Sequence, residues 1–249
     1  MIERERDQKL VRIAGLAAVQ ALFGNEPERI ERLFLLDNLK REAGPICAYL
    51  AADRRPYRIV EADELEKIAG TAMHGGIVAL AEAVEMPLFE PEDGRDWAAA
   101  GEPLLILDGV GNPHNLGAIV RTAAFFGLKR VLVSDNPEQA LPSDASHRVA
   151  RGGMAHVEIV DAGEIEVTLK QLKPHYLVVA TGLDKGQPWR EIGAGDRRPR
   201  AIVLGNEEVG LDPATLNACD AVLTIPGSGA VQSLNVAATA AILIHLLAG

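Results

Sequence analysis

From residue 103 onward the chain alternates short, almost wholly apolar runs with helical patterns: PLLILD, RVLVSD, YLVVATGL, AIVLGN and AVLTIP. A strand with one wet face alternates apolar and polar residues, and these runs do not, so both of their faces are to be covered. Strands of that kind, separated by helices, specify an α/β fold with a parallel sheet between helical layers. A helix opening at Leu116 follows the first strand, and another over 234–247 closes the chain.

Ahead of this pattern, VEMPLFEPEDGRDWAAAGEP (84–103) concentrates three prolines and two glycines among acids. Such density interrupts helix and strand alike and predicts a linker over 86–102. Before it, helical spacing over 10–23 gives way to a strand at RLFLLD, a helix over 44–52 and a strand at YRIVEA. DELEKIAG reads as a short capped helix ended by Gly70, and GIVALAEAV as a final strand. The expected organisation is a small α/β domain over 1–85, the linker, and a parallel-sheet domain over 103–249.

With 48% hydrophobic and 24% charged residues the chain can bury cores, which excludes wholesale disorder. No run approaches the roughly 18 uncharged apolar residues of a membrane span, and MIERERD lacks a signal-peptide core, so a cytoplasmic protein is expected. Cys47 and Cys219 stand far apart with no CxxC spacing; neither a zinc site nor a disulfide framework is indicated, and both are expected as buried thiols. A net charge of −10 argues against a protein that coats nucleic acid. The charge is uneven, however: residues 1–60 hold 11 Lys and Arg against 9 Asp and Glu, and residues 61–95 hold 2 against 9. Arg12, Arg29, Arg32, Lys40, Arg41, Arg54, Arg55 and Arg58 can form a local basic face, or simply a mixed solvated surface.

Ligands of open parallel sheets bind beyond the carboxyl ends of the strands. Three polar loops lie at such ends. In GNPHNLGAIVRTAAFFG (111–127), Asn115 is placed to cap the helix that Gly127 ends, and Arg121 is a charge inside an otherwise apolar helical pattern, either functional or snorkelling to solvent. The dinucleotide fingerprint GxGxxG would need glycine where His114 stands, so it fails. LGNEEVGL (204–211) turns through Gly205, Asn206, Glu207, Glu208 and Gly210; its acids can bind hydroxyls, orient an arginine, or form an ordinary acidic turn. In IPGSGAVQSLNVAATAAILIHLLAG (225–249), Ser233 is placed as the cap of an Ala-rich helix with Asn235 in its first turn, and no GK[ST] follows that would mark a nucleotide triphosphatase. His74, without a second ligand nearby, is expected to cap a turn.

Taken together, NPHNLGAIVRTA, VLGNEEVGL and IPGSGAVQSLNVAATAA resemble, in order, the three motifs of the SpoU (TrmH-like) RNA ribose 2′-O-methyltransferases of the SPOUT superfamily, over about residues 103–248. IAGLAAVQALF and MHGGIVAL, within residues 8–83, are similar to that family's RNA substrate-binding domain, of the ribosomal protein L30e type. The resemblance implies a catalytic domain tied in a deep trefoil knot, a rare exception to unknotted chains. It implies S-adenosylmethionine bound in the knotted loops, with the backbone of Gly205, Ile225 and Leu234 around the adenosine and Leu204 alongside. It also implies an RNA partner, rRNA or tRNA, and a homodimer packed through knot helices, with no metal. Asn115, Arg121, Glu207, Ser233 and Asn235 fall on the family's polar positions, with Arg121 as the catalytic arginine acting across the dimer interface.

That role gives the charge in the first helix a purpose. A ribose 2′-hydroxyl ionises far above neutrality, and a positive group beside it stabilises the developing alkoxide and grips the neighbouring phosphate. A guanidinium with a pKa above about 12 is a poor general base, so electrostatic activation is the expected role. Three positions depart from the usual third motif: Gly227 replaces its Met, and Ala237 and Ala238 replace small polar residues. The competing expectations are an RNA-binding or ribosome-assembly protein that keeps the fold without turnover, and a nucleotide-dependent dehydrogenase, which the failed glycine fingerprint disfavours.

Overall fold

A computed structural model describes residues 10–183 and 186–248. The chain divides into two compact units, one comprising the residues up to Glu85 together with Ser143–Ala155, the other Met86–Pro142 with the residues from His156 onward.

The first unit opens with β1 (Leu10–Ala14) and α1 (Leu16–Asn25), followed by β2 (Ile30–Leu35), α2 (Gly44–Ala52), β3 (Tyr57–Ile59), α3 (Ala62–Ala69) and β4 (Ile77–Glu82). Its sheet runs β1-β4-β2-β3, with β4 antiparallel to β1 and β2, and β3 parallel to β2. The helix expected over 10–23 is therefore two elements. Gly15, at φ 97°, breaks the run, and the β-branched Val11 and Ile13 before it enter a ladder that sets Ile13 opposite Ala79. Ile13, Leu33, Leu35 and Ala79 share one core with Val19 and Leu22 of α1 and Ile46 and Leu50 of α2. Val78 shares another with Leu65 and Ala69 of α3.

The second unit begins with α4 (Pro91–Ala99), inside the stretch whose prolines predict neither helix nor strand. Pro91 occupies the first turn, where no N–H is needed, and Glu90 and Asp93 form a reciprocal capping box. Trp97 of this helix lies 5.9 Å from the Phe89 ring, and the Arg130 guanidinium stacks 4.5 Å over it. Then follow β5 (Leu104–Asp108), α5 (Pro113–Phe126), β6 (Arg130–Val133), the helix α6 (Asp144–Ala150) that belongs to the first unit, β7 (Glu158–Asp161) and α7 (Ile165–Leu172). The unit finishes with β8 (Leu177–Thr181), β9 (Arg200–Gly205), α8 (Pro213–Ala218), β10 (Ala221–Leu223) and α9 (Val236–Leu247).

These strands form one six-stranded, wholly parallel sheet in the order β10-β8-β9-β5-β6-β7. The α/β class read from the apolar runs is what the chain adopts. The sequence reading lacks β7, whose four residues begin with an exposed Glu158 at the sheet edge. In the middle, Leu104 to Asp108 pair with Ala201 to Gly205, so β5 and β9 lie side by side although far apart in sequence. From β5 the chain winds outward through β6 and β7, then crosses to the other half. The loops after β5 and β9 thus emerge at the switch in strand order, the position where such sheets bind ligands. Among the described residues no helix is long and apolar enough to cross a membrane.

Candidate active site at the carboxyl edge of the sheet

Helix α5 starts three residues earlier than the sequence suggests. Asn112 is its cap, accepting the His114 N–H at 2.8 Å, and Pro113 fills the first position. Asn115 therefore does not cap. It sits in the first turn with its amide turned outward, where Nδ2 donates to Glu207 Oε1 at 2.6 Å. Its Oδ1 accepts from Asn235 Nδ2 at 3.2 Å. Three side chains from the three polar loops thus form one hydrogen-bonded row.

The third loop also differs in detail. Asn235, rather than Ser233, caps α9, accepting the Ala237 N–H at 2.8 Å, and the helix begins at Val236 instead of 234. Ser233 stands exposed in the loop before it. An asparagine oxygen reaches the second N–H of the helix as well as a serine does, so sequence alone could not choose between caps two residues apart.

The second loop is a tight turn in which Asn206 and Gly210 exchange backbone hydrogen bonds at 3.2 and 3.0 Å. The Asn206 Oδ1 accepts the N–H groups of Glu208 and Val209, and its Nδ2 donates to the Gly109 carbonyl at 2.9 Å, joining the second loop to the first. Gly205 has no alternative here, because a Cβ would lie 2.6 Å from the Gly210 carbonyl carbon. Beneath these loops Asp108 is buried, with Oδ1 accepting from Ser134 Oγ at 2.8 Å and Oδ2 from Thr215 Oγ1 at 3.0 Å. Gln139 holds Val110 from the other side, accepting its N–H at 3.0 Å and donating to its carbonyl at 3.3 Å. The sequence reading missed Asp108 and Gln139. The available signal was an acid ending an otherwise apolar strand.

Arg121 is not part of the row. It is exposed on α5, about 9 Å along the axis from Asn115 and about 120° around it, and has no ion pair or hydrogen bond among the described residues. Of the groups expected around a cofactor, Leu204 is buried in β9, Gly205 and Ile225 are half-buried, and Leu234 is exposed. Val209 and Val231 are 84% and 72% exposed, so the second and third loops each present an apolar side chain to solvent. Among the described residues no group of His, Cys, Asp and Glu is arranged to hold a metal.

The model of the SpoU rRNA methylase family matches residues 102–245, and that of the RNA 2′-O ribose methyltransferase substrate-binding domain matches residues 12–87. The chain belongs to the SpoU methylase family. It is 35% identical to the 23S rRNA (guanosine-2′-O-)-methyltransferase RlmB of Acinetobacter baylyi, over 93% of this chain and 94% of that protein. It is 32% identical to the uncharacterized tRNA/rRNA methyltransferase YfiF of Escherichia coli O157:H7, over 98% of this chain and 69% of the relative. Among solved structures, the AdoMet-bound rRNA methyltransferase of Sinorhizobium meliloti shares the fold at a TM-score of 0.78 and 23% identity, covering 96% of this chain and 86% of the other.

In this SpoU methylase most of the candidate basic face of the substrate-binding unit is already engaged. Arg29 donates to the Glu82 carbonyl and pairs with Glu26, and Arg55 donates to the Ile30 carbonyl and pairs with Asp53. Arg12, Lys40, Arg41 and Arg58 pair at the surface with Asp144, Asp37, Glu42 and Glu64. Arg32 and Arg54 are exposed and make no ion pair among the described residues. His74 caps a turn as expected, its Nδ1 accepting the Gly76 N–H at 3.1 Å. Cys47 and Cys219 are free and partly buried; burial pushes the Cys219 thiol up to about 12, which leaves it inert.

Proposed function

We propose that this SpoU methylase transfers the methyl group of S-adenosylmethionine to a ribose 2′-hydroxyl of rRNA or tRNA. The observation that carries the reading is the Glu207–Asn115–Asn235 row, which gathers polar groups from three loops at the carboxyl edge of a parallel sheet. The chain fits the cofactor: Gly205 closes a tight turn against its own backbone at Gly210, and Val209, Val231 and Leu234 offer exposed apolar surface for a purine. The backbone of Gly205, Ile225 and Leu234, with Leu204 beside it, holds the adenosine portion. When bound, S-adenosylmethionine supplies an electrophilic sulfonium methyl.

The protein's own residues orient and activate the nucleophile. Glu207 holds the Asn115 amide, leaving Asn235 and Ser233 to face the ribose or a neighbouring phosphate. Arg121 stabilises the alkoxide that develops at the 2′-oxygen. Its separation from the row within one chain is consistent with a homodimer in which each Arg121 serves the partner's site. Phe125 lies one helical turn from Arg121 on the same side of α5 and is 82% exposed, and Ile242 and Leu246 of α9 are also exposed. A second copy covering this apolar surface brings its arginine with it. In this reading residues 1–85 bind the RNA, 86–102, which the sequence reads as a linker, lead from them and pack through Phe89 and Trp97 on the second unit, and 103–249 form a knotted catalytic domain working in the cytoplasm.

Calorimetry with S-adenosylmethionine, followed by transfer of labelled methyl to rRNA and tRNA from cells lacking the protein, tests the proposal. Cofactor binding with label in one RNA pool supports it. Binding without transfer to either pool points to a protein that keeps the fold and has no turnover on free RNA, and affinity for NAD instead overturns it.

A further inference from the structure

Asp108 closes β5 and is 5% exposed. Three side chains donate to it. Oδ1 accepts from Ser134 Oγ at 2.8 Å and from Asn136 Nδ2 at 3.4 Å, both just beyond β6. Oδ2 accepts from Thr215 Oγ1 at 3.0 Å, in the first turn of α8. Ser134 and Thr215 are themselves buried, at 3% and 1% exposure, so neither hydroxyl has water to fall back on.

The placement of these bonds matters more than their number. Asp108 immediately precedes the first loop, which leads to Asn115, and Thr215 follows the second loop, which carries Glu207. The Asp108–Thr215 bond therefore ties the two loops together from below. The Asn206 Nδ2 bond to the Gly109 carbonyl ties them again at the level of the loops. Two fixed points leave little freedom to slide, and the loops meet at the 2.6 Å contact between Asn115 and Glu207.

We propose that Asp108 is a positioning residue for methyl transfer, acting through Thr215 to hold Glu207 against Asn115. This rests on the methyltransfer reading for its effect on rate, but its structural consequence is independent of turnover. A buried hydrogen bond between groups that never meet substrate influences the reaction by fixing geometry, and small displacements of reacting groups are costly.

The test compares full-length Thr215→Val and Thr215→Ser. Valine keeps the branched shape and removes the donor, and serine restores the donor. The valine variant is expected to lower kcat by about tenfold or more while KM for RNA stays within about twofold, and the serine variant to recover most of the rate. In 15N-labelled protein the side-chain amide signals of Asn115 are expected to move in the valine variant and return in the serine variant. Wild-type rate and unmoved Asn115 signals in Thr215→Val overturn the proposal, as does a well-folded serine variant that restores neither. If Thr215→Val does not fold, Thr215→Ala replaces it with the same readouts, because it too removes the donor to Asp108. A wild-type protein without methyl transfer contradicts the functional reading instead, and the Asn115 signals still report whether Thr215 sets the loop geometry.

Discussion

Asn115 and Glu207 are 92 residues apart in sequence and 2.6 Å apart in space, joined by a hydrogen bond from an amide to a carboxylate. An ionised acceptor makes such a bond roughly twice as strong as a neutral one. It links the first two polar loops, and Asn235 extends it to the third.

Replacing the acceptor tests that link. Glu207→Gln retains an oxygen but not the charge, and is expected to lower single-turnover methyl transfer by about 10- to 100-fold with only a small change in melting temperature, since Glu207 is exposed. Glu207→Ala is expected to fall further. Equal rates in glutamine and wild-type proteins would remove Glu207 from the machinery.

Arg121→Ala separates chemistry from cofactor binding. It is expected to abolish methyl transfer and leave the S-adenosylmethionine Kd within about twofold, because Arg121 stands about 9 Å along α5 from Asn115 and apart from the loops assigned to the cofactor. Loss of both in parallel contradicts the assigned role. Mixed with a cofactor-site variant such as Leu234→Trp, Arg121→Ala is expected to regain activity in hybrid dimers, and hybrids that stay inactive argue for a site within one chain.

Much of this arrangement could be read from the residues, and the failures have physical causes. The runs LLIL and IVLG announced parallel, doubly covered strands because nothing in them favours water. The roles of Asn112 and Asn115 could not be separated so easily: both are good caps, and the choice fell to Pro113, whose missing N–H suits the first helical position. The same proline logic was hidden at Pro91, where acids at Glu90 and Asp93 turned an apparent breaker into a helix start. Asp108 was invisible as a hub because its donors, Ser134 and Thr215, come from remote segments that only tertiary packing brings together.

Gly205→Ala tests the second loop. The added methyl would lie 2.6 Å from backbone of Gly210 and Leu211, which cannot give way as a flexible side chain can. A stability loss of roughly 1–3 kcal/mol is expected, with weakened cofactor binding, measured by urea denaturation and calorimetry. An unchanged affinity would show that the turn does not shape the cofactor site.

His147, on α6 in the substrate-binding unit, gives a pH dependence. Burial, reinforced by the Arg29 charge and only partly opposed by Asp144 and Glu26, lowers its pKa to about 4 from an ordinary 6.5. The unfolded chain then binds the proton more tightly than the folded one. The contribution to stability is complete above about 6.5 and is lost as the pH falls toward 4, by up to about 3 kcal/mol. Denaturation midpoints measured across that window are expected to slope less steeply for His147→Gln than for the wild type. Identical slopes would show that His147 titrates alike in both states.

The central claim is the acceptor atom, and nucleoside mass spectrometry of RNA methylated by the purified protein reads it directly. The account predicts one 2′-O-methylnucleoside in rRNA or tRNA, absent when Arg121→Ala replaces the wild type. Label on a nucleobase, with every ribose unmodified, would contradict it.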